Sequence, residues 1–122
     1  MALPRVLVID DNAMNVELVT CVLAHEGFTI ESAYDAREAL LRIDSSQPDL
    51  ILMDIQMPGM DGLELTRHLK ADPLRRHIVI VAFTAFAMQG DEAKMRAAGC
   101  DGYLSKPIDV HTFAASVRSM LP

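Results

Sequence analysis

The sequence predicts an α/β fold in which helices cover both faces of a parallel β-sheet. Three short runs at residues 6–9, 50–53 and 78–83 are almost purely apolar and do not alternate with polar residues. Such runs are typical of strands that are buried on both faces. Helical patterns lie between the runs, so that strand and helix alternate five times along the chain. This alternation favours right-handed crossovers and a parallel sheet.

The five strands are predicted in chain order from these runs and from two weaker ones. Residues 6–9, 50–53 and 78–83 supply the first, third and fourth strands. Residues 28–33 and 102–105 are less apolar, and they supply the second and fifth strands. The whole chain, residues 1–122, therefore reads as a single domain without linker or repeat.

The first two helices are predicted from apolar stripes and from end signals. Residues 12–26 carry a wide apolar stripe, formed by Leu18, Val19, Val22 and Leu23. Gly27 follows this helix at a position that suits the residue just past a helix C-terminus. Asp35 and Glu38 have the spacing of a capping box, which opens a second helix with an apolar face of Ala39, Leu40 and Ile43.

The remaining three helices are predicted by the same signals. Asp61 and Glu64 repeat the capping-box spacing before a third helix. Residues 90–98 form a thinly apolar fourth helix that ends at Gly99. Asp109 is expected to cap the fifth helix, whose compact apolar face comprises Val110, Phe113, Ala114, Val117 and Leu121.

Composition excludes several classes of function. Hydrophobic residues make up 51% of the chain, charged residues 23%, and the formal net charge is −6. The negative charge argues against a protein that binds nucleic acid directly. No apolar run is long enough to span a bilayer, and no export signal is visible, so a cytoplasmic location without membrane contact is expected. Cys21 and Cys100 lack a Cys-x-x-Cys spacing and are expected to be reduced core thiols.

Chemically active side chains follow the predicted strands. Asp10 and Asp11 follow the first strand and Asp54 the third, while Thr84 ends the fourth and Lys106 follows the fifth. In a parallel α/β sheet, ligands bind outside the carboxyl ends of the strands. Each residue taken alone has a structural alternative, such as a helix cap, a turn or a surface lysine. Their shared place at one edge favours a common site.

The residue types at this edge suit phosphoryl transfer with a divalent cation. Mg²⁺ prefers oxygen ligands, and it commonly binds one or two carboxylates together with phosphate oxygens and water. A carboxylate can itself accept a phosphoryl group. The transfer requires positioning and neutralisation of charge on the transferred oxygens. An ammonium group from Lys106 and a hydroxyl group from Thr84 are of the right kind for that task.

Four segments together closely resemble the response regulator receiver domain, the family that includes the chemotaxis protein CheY. The segments are residues 8–12 (VIDDN), 52–62 (LMDIQMPGMDG), 83–85 (FTA) and 103–107 (YLSKP). The resemblance spans essentially the whole chain. It implies a flavodoxin-like (βα)₅ fold, a doubly wound parallel sheet with strand order 2-1-3-4-5. It also implies a response regulator of two-component signal transduction, operated by phosphorylation.

The resemblance assigns a role to each residue at the strand ends. Asp54 would be the phospho-acceptor, and Lys106 and Thr84 would bind phosphoryl oxygens. Mg²⁺ or Mn²⁺ would be held by the acidic pair Asp10 and Asp11, by Asp54, and by the backbone carbonyl of Gln56. Pro107 would follow a cis peptide bond in a turn that aims Lys106 at the site. Tyr103 would move between exposed and buried states when the protein is activated.

The resemblance also implies partners and output. A histidine kinase or a histidine phosphotransfer protein would supply the phosphoryl group. A downstream protein would bind the face formed by the fourth helix, the fifth strand and the fifth helix. Residues 84–92 are similar both to stand-alone receivers of the DivK type and to receivers of hybrid histidine kinases. A receiver excised from a hybrid kinase therefore stays open as an alternative.

The resemblance also implies that two positions control how fast the phosphoryl group is lost. In this sequence they are occupied by Gln56 and Phe86. Phe86 is bulky and apolar, so we expect a fairly persistent phosphorylated state. It could also belong to a partner-binding surface with Tyr103 and the last helix, or pack within its loop.

A dedicated enzyme is not expected. An aspartyl-nucleophile phosphatase of the haloacid dehalogenase pattern needs an acidic residue where this chain has Gln56. A flavin-binding module is disfavoured because no phosphate-binding loop follows the first strand. A docking protein independent of phosphorylation is disfavoured because Asp54, Thr84 and Lys106 are all present.

Overall fold

The protein is a five-stranded parallel sheet with helices on both faces. The computed structural model describes residues 3–57, 60–84, 91–106 and 108–121, with the backbone alone at 56–57, 60–61 and 91. The strands of the sheet are β1 (Arg5–Ile9), β2 (Thr29–Ala33), β3 (Leu50–Asp54), β4 (Val79–Thr84) and β5 (Gly102–Ser105). They lie in the order β2-β1-β3-β4-β5 and all pair in parallel, which confirms the predicted order.

Within the described residues, five helices connect the strands or follow the last of them. They are α1 (Ala13–His25), α2 (Ala36–Ser46), α3 (Gly62–Ala71), α4 (Asp91–Ala98) and α5 (Phe113–Met120). A separate antiparallel hairpin, Gln56–Met57 with Met60–Asp61, lies between β3 and α3 along the chain. In the described part of the chain, no helix has the length and apolar character needed to cross a bilayer.

Apolar and polar residues do not alternate along the central strands, because each face of the sheet packs against its own hydrophobic core. Successive residues of the central strands point to opposite faces, so both sets must be apolar. One core contains Leu7, Ile9, Ile51, Met53 and Ile80, packed with buried residues of α2, α3 and α4. The other contains Val6, Val8, Leu52, Val81 and Phe83, packed with buried residues of α1 and α5.

Several predicted helix ends are present. The side chain of Asn12, the first residue of the range predicted for this helix, accepts hydrogen bonds from the backbone N–H groups of Met14 and Asn15 at 3.0 and 3.2 Å and caps α1. The Asp35 side chain caps α2 by accepting from the N–H of Glu38 at 2.8 Å. Gly27 and Gly99 follow α1 and α4 with φ of 90° and 108°, a conformation that favours glycine. The predicted cap by the Asp61 side chain, and Gly90 at the start of the fourth helix, lie outside the described residues.

Two expectations about individual side chains of α1 were wrong. Leu18 is 44% exposed, because the sheet covers only the side of α1 that carries Val16, Val19 and Leu23. Cys21 is also exposed, whereas Cys100 is buried as expected, and both thiols are free.

The fifth helix begins later than predicted. It starts at Phe113, and Val110 is 51% exposed instead of lying on the buried face. The Asp109 carboxylate accepts a hydrogen bond from the N–H of His111 at 2.9 Å. An Asp side chain bonded two residues ahead stabilises a turn, which here takes the place of a first helical turn.

Candidate functional site

Four strands of the sheet bring the predicted residues to one edge. Asp10 directly follows β1, Asp54 and Thr84 are the last residues of β3 and β4, and Lys106 directly follows β5. Because all four strands run in parallel, their carboxyl ends meet at the same side of the sheet. The structure thus brings together the residues that the sequence placed at strand ends.

Three carboxylates form a compact cluster at this edge. Oxygen atoms of Asp10, Asp11 and Asp54 all lie within 4.8 Å of one another. Asp10 is fully buried and Asp54 is 5% exposed, whereas Asp11 is exposed. A cluster with two buried carboxylates and one facing solvent is open on one side. These oxygen atoms are the ligand type that a hard divalent cation prefers.

Asp10 is held rigidly by its own neighbours. Its backbone N–H donates to the carbonyl of Ala33 at 3.1 Å, which continues the β1–β2 ladder by one residue. One carboxylate oxygen accepts a hydrogen bond from the N–H of Asn12 at 2.9 Å. The other accepts from the ammonium of Lys106 at 2.8 Å. Both oxygens of this fully buried carboxylate therefore have partners, as buried charge requires.

Lys106 bridges two of the three carboxylates. Its ammonium lies 2.8 Å from Asp10 and 3.4 Å from Asp54, and its side chain is 13% exposed. Its backbone N–H donates to the carbonyl of Thr84 at 2.8 Å, so the start of the side chain is fixed to the end of β4. The hydroxyl-bearing Thr84 is itself 1% exposed. The ammonium compensates part of the negative charge that the carboxylates concentrate here.

Gly62 allows α3 to begin directly against the backbone of Asp54. A Cβ atom built on Gly62 would overlap the carbonyl oxygen of Asp54 and lie 2.8 Å from the Cα of Ile55. Any other residue would force these two backbone segments apart. The requirement for glycine at this place therefore comes from close approach of the chain, and it fixes the position of the Asp54 backbone.

Two further predicted residues, Tyr103 and Gln56, lie within the described part of the chain. Tyr103 on β5 is half-buried and packs against the core that faces α2, α3 and α4. The backbone of Gln56 lies in the short hairpin, paired with Asp61, directly after the end of β3 and Ile55. Phe86 and Pro107 fall outside the described residues, so their predicted roles stay predictions.

Sequence reasoning missed one neighbour of the site, Phe83. It is the residue before Thr84, it pairs in register with Asp54, and it is 1% exposed. The ammonium of Lys106 lies over its ring, 4.9 Å from the ring centroid. In the sequence, Phe83 is only the last apolar residue of a buried strand. Its contact with Lys106 depends on the conformation of the lysine side chain, and no sequence pattern predicts that conformation.

Comparison with known proteins settles the family. A family model described as the response regulator receiver domain matches residues 6–118. The chain belongs to this family. It is 43% identical to the polar-differentiation response regulator DivK of Brucella anthropi. The aligned 116 residues cover 95% of this chain and 94% of that DivK. The DivK of Brucella ovis matches to the same extent.

Solved structures of receiver domains have the same fold. The chemotaxis protein CheY4 of Vibrio cholerae superposes with a TM-score of 0.92 at 28% identity, covering 98% of this chain and 100% of that chain. The receiver domain of a sensor histidine kinase from Pseudomonas aeruginosa superposes with a TM-score of 0.86 at 29% identity, covering 98% of each chain. That structure is described with a magnesium ion coordinated in the active-site cleft.

These similarities establish the general function. The chain is a DivK-like receiver domain of a two-component response regulator. Receiver domains bind Mg²⁺ at an acidic site, and this structure has a cluster of three carboxylates, those of Asp10, Asp11 and Asp54. Receiver domains interact with histidine kinases or with phosphotransfer proteins.

Proposed function

We propose that Asp54 accepts a phosphoryl group from the phosphohistidine of a histidine kinase or a histidine phosphotransfer protein. The observation that carries this proposal is the position of Lys106, whose ammonium contacts both Asp54 and Asp10 beside a cluster of three carboxylates. A nucleophilic carboxylate, a metal site and a cation that binds phosphoryl oxygens are the parts that such a transfer needs.

The donor set fits Mg²⁺ or Mn²⁺. The spacing of the carboxylate oxygens, all within 4.8 Å, would let Asp10, Asp11 and Asp54 share one small cation. The carbonyl of Gln56 is proposed as a further ligand. When bound, the cation would neutralise carboxylate charge and polarise the phosphoryl oxygens.

The side chains of this chain carry the transfer itself. A carboxylate oxygen of Asp54 forms a bond to phosphorus while the bond from phosphorus to the donor's imidazole nitrogen breaks, and the electron pair leaves with the imidazole. The ammonium of Lys106 balances charge on one phosphoryl oxygen. The Thr84 hydroxyl donates a hydrogen bond to another. Asp10, through its contact with Lys106, keeps that ammonium beside the reacting group.

Phosphorylation would then act as a two-state switch. The added charge favours an inward position of the Thr84 hydroxyl, and Tyr103 follows into the space that this movement opens. Tyr103 and Thr84 lie on neighbouring strands, and Tyr103 is already half-buried in the present state. The face formed by α4, β5 and α5 would change shape, and a downstream protein would bind it.

The protein would then be a cytoplasmic signalling protein that acts through protein contacts. It takes up a phosphoryl group on its own residue and turns over no separate substrate, so it is not a dedicated enzyme. A receiver module of a hybrid histidine kinase is the alternative, and it would use the same site.

The test is incubation with Mg²⁺ and acetyl phosphate, followed by intact-mass measurement. We expect the wild-type chain to gain one phosphoryl group and Asp54→Asn to gain none. Asp49→Asn is a matched control, because Asp49 precedes the same strand at its opposite end, where it accepts a hydrogen bond from the N–H of Arg5 at 2.9 Å. Equal phosphorylation of Asp54→Asn and wild type would exclude Asp54 as the acceptor.

A further inference from the structure

We infer that Phe83 is a positioning residue for Lys106: its ring face attracts the ammonium and directs it to Asp10 and Asp54. The inference rests on the proposed function, in which Lys106 binds a phosphoryl oxygen. The ammonium lies 4.9 Å from the centroid of the Phe83 ring, within the range of a cation–π interaction. The same ammonium contacts both carboxylates. The ring therefore lies directly beside the site.

The register of the sheet explains why this ring and this ammonium meet. Phe83 pairs with Asp54 on one side and with Leu104 on the other. Lys106 comes two residues after Leu104, and its backbone N–H is bonded to the carbonyl of Thr84. Its side chain thus starts beside the end of β4, and its ammonium reaches the carboxylates of Asp10 and Asp54 while lying over the ring of Phe83.

A fixed ring is useful here because a lysine has little direction of its own. Its ammonium is a compact charge on a flexible stem, without the planar fork of an arginine. The Phe83 ring is 1% exposed and contacts the ring of Phe113, the first residue of α5, at a centroid distance of 5.9 Å and a tilt of 39°. An aliphatic residue could fill the same space, but it would not attract the ammonium.

The test separates electrostatic attraction from packing. Phenylalanines with one, two or three ring fluorines can be introduced at position 83. They keep the shape of the ring, and each added fluorine reduces the negative electrostatic potential of the ring face. We expect the rate of phosphorylation by limiting acetyl phosphate and Mg²⁺ to fall in the same steps, to about one tenth of the wild-type rate with the most fluorinated ring, the size of effect that a desolvated cation–π contact allows.

Phe28 provides a matched control. The guanidinium of Arg118 lies over its ring at 5.1 Å, and Phe28 is buried in the core that faces α1 and α5, before β2. The same fluorinated series at position 28 weakens a cation–π contact of similar geometry away from the carboxylates. We expect it to leave the phosphorylation rate unchanged. A flat response at position 83, or an equal decline at both positions, would overturn the inference.

A second measurement distinguishes failure of this inference from failure of the proposed function. In the wild-type protein, ring current should shift the NMR signals of the Lys106 methylene group next to the ammonium upfield, and Phe83→Leu should return them to ordinary values. Ordinary values already in the wild type would overturn the inference. If the wild-type chain gained no phosphoryl group on Asp54, the proposed function would fail while this measurement still decided the role of Phe83.

Discussion

Lys106→Met should destabilise the protein strongly when no divalent cation is present. The variant keeps a side chain of similar length and removes a charge that lies 2.8 Å from Asp10 and 3.4 Å from Asp54. At an effective dielectric constant of about 20, the two attractions amount to roughly 6 and 5 kcal/mol before desolvation. Desolvation of the ammonium offsets much of this gain. Breaking a buried ion pair costs about 3–5 kcal/mol in net terms, and the 13% exposure of Lys106 favours a value near the lower limit.

Urea unfolding followed by circular dichroism measures this loss. With a slope of about 2 kcal/mol per molar urea, a loss of ~3 kcal/mol lowers the midpoint by about 1.5 M. Mg²⁺ should restore stability, because it binds the folded carboxylate cluster and replaces the missing positive charge. At a Mg²⁺ concentration about 100 times its Kd, the gain is ~2.7 kcal/mol. The gain should be larger in Lys106→Met than in wild type at the same concentration, since Lys106 no longer competes for Asp10.

Lys70→Met is the control for removing a lysine that is mostly buried. The Lys70 side chain is 19% exposed, and its ammonium bonds Asp101 and the carbonyls of Arg76 and Ile78. Its loss should cost about 1–2 kcal/mol through unsatisfied carbonyl groups, and its response to Mg²⁺ should equal that of wild type. An unchanged midpoint for Lys106→Met in metal-free buffer, or the same Mg²⁺ gain in all three proteins, would refute the reasoning.

Three further predictions concern the fold that carries the site. Gly62→Ala should lower the free energy of unfolding by about 2–3 kcal/mol, as overpacking does, because its Cβ would press on the backbone of β3; urea unfolding measures this. Burial raises the pKa of the Cys100 thiol above its ordinary value of 9.0. The unfolded thiol therefore ionises first, and the free energy of unfolding should fall as pH rises above that value; Cys100→Ala should reduce this slope, whereas Cys21→Ala should keep it. Gly27→Ala and Gly99→Ala both place a side chain at positive φ, at a cost of about 1–2 kcal/mol. Gly99→Ala should cost more, because the new Cβ atom would also lie 2.8 Å from the side chain of Lys70, whereas a Cβ atom on Gly27 would lie in open space. Equal losses of stability in thermal unfolding would contradict this.

The position of the site could be predicted from the sequence because it depends on topology. Buried parallel strands appear in the sequence as short apolar runs, and the residue that ends each run must lie at the carboxyl edge. Two of the site residues, Asp54 and Thr84, are the last residues of their strands. Two others, Asp10 and Lys106, directly follow theirs. No knowledge of side-chain conformation was needed to bring them together.

Side-chain direction could not be predicted in the same way. The sequence gives no sign that Lys106 lies closer to Asp10 than to Asp54, because that choice depends on how a flexible stem packs over Phe83. The exposure of Leu18 has a similar cause, since a wide apolar stripe does not tell which part of it the sheet covers. The later start of α5 depends on competition between a turn and a helix at Asp109.

The geometry of Lys106 suggests why Asp10 is its nearer partner. Three carboxylates and one ammonium leave the cluster with two negative charges in excess, which one divalent cation would balance. Phosphorylation would replace the single charge of Asp54 by a group carrying about −1.5 to −2. In the proposed step an oxygen of Asp54 would form a bond to phosphorus, which alters the charge of the carboxyl group that Lys106 contacts at 3.4 Å. Asp10 takes no part in that proposed bond, so its contact at 2.8 Å would hold the ammonium beside the incoming phosphoryl group throughout.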